Sequence, residues 1–195
     1  MAKSRRRYRE LPAKHKKAWL VLCLVLIWGV GIALRLGVDI YFPLKYQDLI
    51  VRYSKEFSLK EKGIDEYHIA AIIRTESRFN EKAESKKGAI GLMQILPDTG
   101  AWAAEKIGIG DYTADSLWNP EVNIRIGCWY LAYLSDMFNG DLIKVFAAYN
   151  AGPTNVKNWL EDDGKLVNIG HAETQGYVIR VEKYYDIYKA LYSDF

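Results

Sequence analysis

The chain has 195 residues, half of them apolar, with 27 Lys/Arg against 24 Asp/Glu, which suits one packed domain with an appendage and not two independent cores. Eight of the basic residues and a single acid, Glu10, fall in the first 17 positions, so the remainder holds 19 basic and 23 acidic side chains. A slightly acidic body lacks the basic face that a phosphate backbone needs, which removes nucleic acid as an expected partner, and three histidines with two separated cysteines offer neither metal-ligand spacing nor a disulfide framework.

The basic residues 1–17 run directly into Ala18–Leu34, 17 residues without a charge. Leu36, Gly37 and Val38 extend the run past Arg35, whose long stem can snorkel, and the pattern predicts a transmembrane helix over residues 18–38. A core helix would keep a polar face, and this segment is apolar all round. A cleaved signal peptide is the rival reading, with Gly31-Ile32-Ala33 as a small-x-small site; the length of the run favours a retained signal-anchor. The positive-inside rule then makes residues 1–17 a cytoplasmic tail and places everything after about Asp39 outside the cytoplasmic membrane. Cys23 in the span and Cys128 in a later helix cannot meet, and Leu22 is not the small residue that lipidation of Cys23 would want.

From Pro43 onward every periodic segment is helical, and residues 43–195 read as one all-α domain. Tyr46 to Phe57 forms a first helix, followed by a charged turn at Lys60 to Gly63. Asp65 caps a second, with Ile64 stapled onto Ile69, that runs to about Phe79. Asn80 to Lys87 is a polar loop leading into the apolar Ala89 to Leu96, and Pro97 starts a helix ending near Gly108. Asn119-Pro120-Glu121 combines a cap, a preset φ and an acid in the first turn, opening a helix to Phe138. Asp141 opens another that stops at Gly152-Pro153. A short helix to Leu160, a loop around Asp162-Asp163-Gly164 and a helix from Glu173 to Tyr192 complete the domain.

Glu76 is the most informative position. It follows Ile69, Ile72 and Ile73 at i+7, i+4 and i+3, so it shares the stripe that faces the core, while Arg74 and Arg78 point to other faces. A carboxyl aimed at an apolar wall holds its proton more tightly, which is what a general acid near neutral pH needs. A helix-end carboxylate bonded to backbone or to a buried arginine is the competing reading. Gly88 and Gly91 bracket a stretch that must turn tightly or admit a bulky ligand, and the Gln94 amide, able to donate and accept, suits an N-acetyl group. Tyr149 and Asn150 sit at a helix end where side chains can project into a cleft, and Tyr177, near the start of the last helix, is placed to orient a carboxyl or a sugar hydroxyl.

Glu76-Ser77-Arg78-Phe79 resembles the E-S-x-F signature of the soluble lytic transglycosylase family, whose glutamate is the catalytic acid/base. Gly88 to Pro97 is similar to the family's G-A-x-G-L-M-Q-x-x-P block, and the helix behind Asn119-Pro120 to its N-P-x-x-N-I-x-x-G segment. Ala148 to Pro153 resembles A-Y-N-A-G-P, and Glu173 to Val178 the closing E-T-x-x-Y-V. The likeness covers about Lys45 to Tyr192 and leaves the anchor outside it. It implies a goose-type, lysozyme-like helical domain that binds peptidoglycan glycan strands, with Glu76 catalytic and Ser77, Met93, Gln94, Tyr149, Asn150, Glu173 and Tyr177 as substrate-binding residues. Glu173 is expected to tie parts of the cleft together by hydrogen bonds.

One strong carboxylate is enough where the substrate supplies the missing group, as its 2-acetamido oxygen can by sheltering the anomeric carbon. The resemblance implies a lyase that needs no cofactor and leaves a 1,6-anhydro sugar. A lysozyme-type hydrolase with the same lone glutamate and a non-catalytic peptidoglycan-binding scaffold are the alternatives.

Overall fold

A computed structural model describes residues 13–161, 164–166 and 168–192, with side chains from residue 17 onward. Residues 1–12 of the expected tail, and Asp162 and Asp163 of the expected loop, lie outside the described residues. The chain forms two compact units that divide between Pro43 and Leu44.

The first unit holds α1 (Ala13–Tyr41). Its stretch Lys17–Tyr41, 25 residues, is long and apolar enough to cross a membrane; at 1.5 Å per residue it reaches ~37 Å, against a hydrocarbon core of ~30 Å. Its large apolar side chains stand exposed, with Ile27 at 68% and Trp28 at 72%, which separates it from a core helix. Arg35 pairs with Asp39 one turn on at 3.4 Å.

The second unit is built from α2 (Gln47–Glu56), α3 (Glu66–Glu76), α4 (Pro97–Ile107), α5 (Pro120–Met137), α6 (Leu142–Ala151), α7 (Pro153–Asn158) and α8 (Ala172–Leu191). The helices begin where local chemistry caps them. Asp65 accepts from the His68 amide at 3.1 Å, Asn119 from the Glu121 amide at 2.8 Å, and Asp141 from the Lys144 amide at 3.2 Å, each satisfying an otherwise orphaned donor. Pro97 occupies the first turn of α4, and Gly108 ends it in the left-handed region.

Helix α3 packs mainly on α8, which also contacts α6, while α5 gathers α2, α4 and α6 around itself. Ile69, Ile72 and Ile73 of α3 are fully buried together with Leu92, Leu117, Phe146 and Tyr188; each aliphatic side chain of this kind stabilises the fold by roughly 1.5–3 kcal/mol. No strand occurs among the described residues, but Ile90 forms isolated bridges to Glu84 and Ile95. The apolar segment 89–96 is thus a closed loop tied across its neck, with the Ile90 and Ile95 amides donating to each other's carbonyls at 2.9 and 3.0 Å.

Two local features differ from the expected elements. Helix α3 ends at Glu76, three residues early, because Arg78 and Phe79 both take positive φ, 54° and 62°. Burial of the Phe79 ring beside Tyr188, with centroids 6.3 Å apart, accompanies that reversal. Ala114–Trp118 forms a 3-10 turn ahead of α5, seated by the buried Leu117.

Candidate active site

Because the chain leaves α3 immediately after Glu76, that side chain ends the apolar stripe and meets a groove instead of another helical turn. A cavity of about 330 Å³ is lined by Glu76, Gln94, Leu96, Tyr149, Asn150 and Glu173, with Ser85, Lys86, Lys87 and Ala89 at its edge. An adjoining one of about 420 Å³ shares Lys87, Gln94, Leu96, Tyr149 and Asn150 and extends along Thr99, Tyr130 and Pro153. The shared walls make one continuous groove.

The Glu76 carboxyl is enclosed by protein on most sides, and that desolvation pushes its pKa up from 4.5 to about 7. Two groups of α8 act in the opposite direction, the Tyr177 hydroxyl first and the Arg180 guanidinium second. The Tyr177 side chain is fully buried, and its hydroxyl faces Glu76 without completing an aligned hydrogen bond. Arg180 is exposed, with its guanidinium lying over Gly176. Burial of Tyr149, then the nearby Glu76 charge, raises the pKa of the Tyr149 phenol well above its usual range.

Gln94 sits at φ 49°. Its amide nitrogen donates to the carbonyls of Ala83 at 3.0 Å and Gly91 at 2.9 Å, so the side chain offers the groove an acceptor oxygen and no free donor. Tyr149 spends its hydroxyl on the Met93 carbonyl at 2.9 Å and presents its ring to the groove. The Asn150 oxygen accepts from the Thr174 hydroxyl at 2.8 Å, which ties α6 to α8. Glu173 is exposed on the rim and has no hydrogen-bond partner among the described residues, contrary to the expectation that it laces the cleft together.

Two of the expected substrate-binding residues are not on the groove surface. Ser77 is buried and donates back to the Ile73 carbonyl at 3.1 Å. Met93 is fully buried, its thioether packed so closely on Gly127 that a Cβ there would collide with it. Both lie beneath the groove wall, in the packing that supports it.

Sequence reasoning also overlooked two residues. Arg180 stands one turn after Tyr177 on α8, a spacing that points both toward one face; it acts on Glu76, whereas Arg74 and Arg78, the cations beside Glu76 in the sequence, do not figure among the groups that shift it. Asn123, fully buried, donates to the carbonyls of Ile90 and Leu117 at 2.9 Å each and accepts from the Met93 amide at 2.8 Å. It pins the 88–96 loop onto α5. Gly91, at φ 78°, leaves room for it, since a Cβ would run into the Asn123 amide and the Leu117 carbonyl.

Residues 54–169 match the family model described as the transglycosylase SLT domain. The chain belongs to that family. Across 156 residues it is 39% identical to the soluble lytic murein transglycosylase of Salmonella typhimurium, covering 76% of this chain and 23% of that protein. It is 33% identical over 164 residues to the membrane-bound lytic murein transglycosylase C of Edwardsiella ictaluri, covering 75% of this chain and 40% of that one. Among solved structures, the chain superposes on an inactive glutamate-to-glutamine mutant of the Pseudomonas aeruginosa lytic transglycosylase Slt with a TM-score of 0.69 and 38% identity, covering 78% of this chain and 25% of the other. The 70-kDa soluble lytic transglycosylase in complex with bulgecin A gives 0.70 at 37% identity, over 78% and 25% of the two chains. The SLT chain described here therefore spans about a quarter of the length of its soluble relatives, and its all-α, lysozyme-like fold is that of the SLT domain.

Proposed function

We propose that this SLT domain is a peptidoglycan lytic transglycosylase that cleaves the β-1,4 bond between N-acetylmuramic acid and N-acetylglucosamine. The observation that carries the reading is a carboxyl at the end of α3 that lines a groove and whose pKa burial pushes up to about 7. Relatives named as lytic murein transglycosylases support it, as does the inactivity of a structural relative that carries a glutamate-to-glutamine change.

Glu76 in its protonated form donates to the glycosidic oxygen, and the C1–O bond breaks as the 2-acetamido oxygen shields the anomeric carbon. The Glu76 carboxylate then takes the proton from the muramic C6 hydroxyl, whose oxygen bonds to C1 and closes the 1,6-anhydro ring. One residue serves as acid and then base, its proton is restored, and no water is consumed. Tyr177 and Arg180 keep the carboxylate form accessible for the second half, because each favours the charged state against desolvation. The Gln94 oxygen is placed to accept from an acetamido N–H, Tyr149 supplies an apolar wall, and Asn150 and Glu173 line the sugar path.

The domains follow from this reading: a basic cytoplasmic tail over residues 1–17, an anchor over residues 18–38 and a catalytic domain over residues 43–195. Helix α1 spans the cytoplasmic membrane once, with the basic end inside by the positive-inside rule and the groove outside, where peptidoglycan lies.

Mass spectrometry of peptidoglycan digested by the full chain in detergent micelles tests the proposal. Muropeptides lighter by one water are expected. Reducing ends would make the enzyme a hydrolase, and undigested glycan would leave only a binding scaffold.

A further inference from the structure

The groove does not end at Tyr149. The Tyr130 ring lies 5.6 Å from the Tyr149 ring and lines the outer cavity. From Tyr130 the aromatic surface continues to Tyr133 at 6.3 Å, from Tyr133 to Trp102 at 4.8 Å, and from Trp102 to Trp129 at 4.7 Å. These four residues are only half-buried, unlike Tyr177 and Tyr188, which the core encloses. The four rings join α4 to α5 and still keep part of their surface at the edge of the groove.

Its direction is set by helical spacing. On α4 and its leading residue, Leu96, Thr99 and Trp102 follow at steps of three, and the first two line the outer cavity. On α5, Tyr133 stands three residues after the groove-lining Tyr130. Both helices therefore carry the groove wall outward onto the aromatic surface.

We propose that Trp102, Trp129, Tyr130 and Tyr133 form a distal carbohydrate platform that stacks the N-acetylhexosamine rings of a glycan strand lying beyond the groove. The inference rests on reading the groove as glycan-cleaving. The C–H faces of a pyranose ring pack on aromatic faces, while its equatorial hydroxyls remain in water or bond to tyrosine hydroxyls, which suits rings that are half-exposed and carry polar tips. The two cavities, about 330 and 420 Å³, enclose only a short piece of a polymer, so a strand seated over Glu76 must continue across some surface. This one is contiguous with the groove.

The test uses the full chain in detergent micelles and two substrates from one peptidoglycan preparation, a tetrasaccharide fraction and a long-strand fraction. The wild type is expected to favour long strands in kcat/KM. Trp102→Ala and Trp129→Ala should each lower the long-to-short ratio by about tenfold, the loss of roughly one aromatic contact, mainly through KM. Trp102→Phe and Trp129→Phe should restore most of it. A ratio that stays at the wild-type value overturns the platform, whether both rates fall together, as for a purely structural role, or neither changes. A wild-type chain that cleaves neither fraction defeats the reading of the groove itself, and the platform falls with it.

Discussion

The Tyr177 hydroxyl of α8 faces the Glu76 carboxyl at the end of α3, so the group that tunes the acid comes from a helix distant in the sequence and packed against its own. Burial raises the pKa of Glu76, whereas Tyr177 and then Arg180 lower it. Removing either should let burial act with less opposition. Tyr177→Phe and Arg180→Gln are both expected to move the alkaline limb of the kcat/KM profile to higher pH, measured on solubilised peptidoglycan between pH 5 and about 9. Movement in opposite directions would refute a shared effect on one carboxyl.

The same shift has a stability consequence. The folded-state pKa of Glu76 is about 7 against 4.5 without the fold, so the native state binds more protons between those values. The contribution is fully present below about pH 4.5 and is lost as pH rises through 7. Glu76→Gln carries no titrating group there. Relative to the wild type, the variant should gain on the order of 3 kcal/mol between pH 4 and pH 8, or roughly 6–12 °C in relative Tm. Thermal unfolding at the two pH values checks it, and a constant difference would contradict the raised pKa.

How far the site could be read from the sequence depended on the range of the interactions that build it. Helix starts at Asp65, Pro97, Asn119 and Asp141 were legible because caps and proline act within one turn. The inward direction of Glu76 was legible from the isoleucine stripe. The early stop of α3 was not, since two non-glycine residues at positive φ are held there by tertiary packing. Arg180 lies in no motif, and the role of Asn123, the second asparagine of the N-P-x-x-N segment, is not legible there, because each acts across the fold on a residue distant in the sequence. Ser77 and Met93 lie in the motifs, and that both side chains are buried beneath the groove wall is a result of tertiary packing.

Asn123 concentrates the cost of a failed loop. Asn123→Ala leaves the Met93 amide and the Leu117 carbonyl without the Asn123 amide and takes from the Ile90 carbonyl one of its two donors, the Ile95 amide remaining. The expected loss is roughly 3 kcal/mol or more. Asn123→Asp, nearly isosteric, should be no better, because it sets a carboxylate oxygen against two carbonyls in a buried site. Chemical denaturation of the two variants measures this; a well-tolerated Asp would show that the amide donor is dispensable.

Gly127 and Met93 should be energetically coupled. A Cβ at residue 127 meets the Met93 thioether, so Gly127→Ala is expected to cost about 1–3 kcal/mol by overpacking. In a Met93→Ala background the clash is gone and the cost should shrink. A double-mutant cycle on unfolding free energies reads the coupling directly, and strict additivity would mean that the two do not share one space.

The account turns most directly on Glu76 as the proton carrier. Release of muropeptides from purified peptidoglycan by the full chain and by Glu76→Gln, at equal enzyme concentration near pH 6, isolates that role, because glutamine keeps the shape and loses the proton. A fall in rate of about a thousandfold or more is predicted, with sedimentation onto the insoluble glycan retained. Cleavage by the variant within a few-fold of the wild type would contradict it.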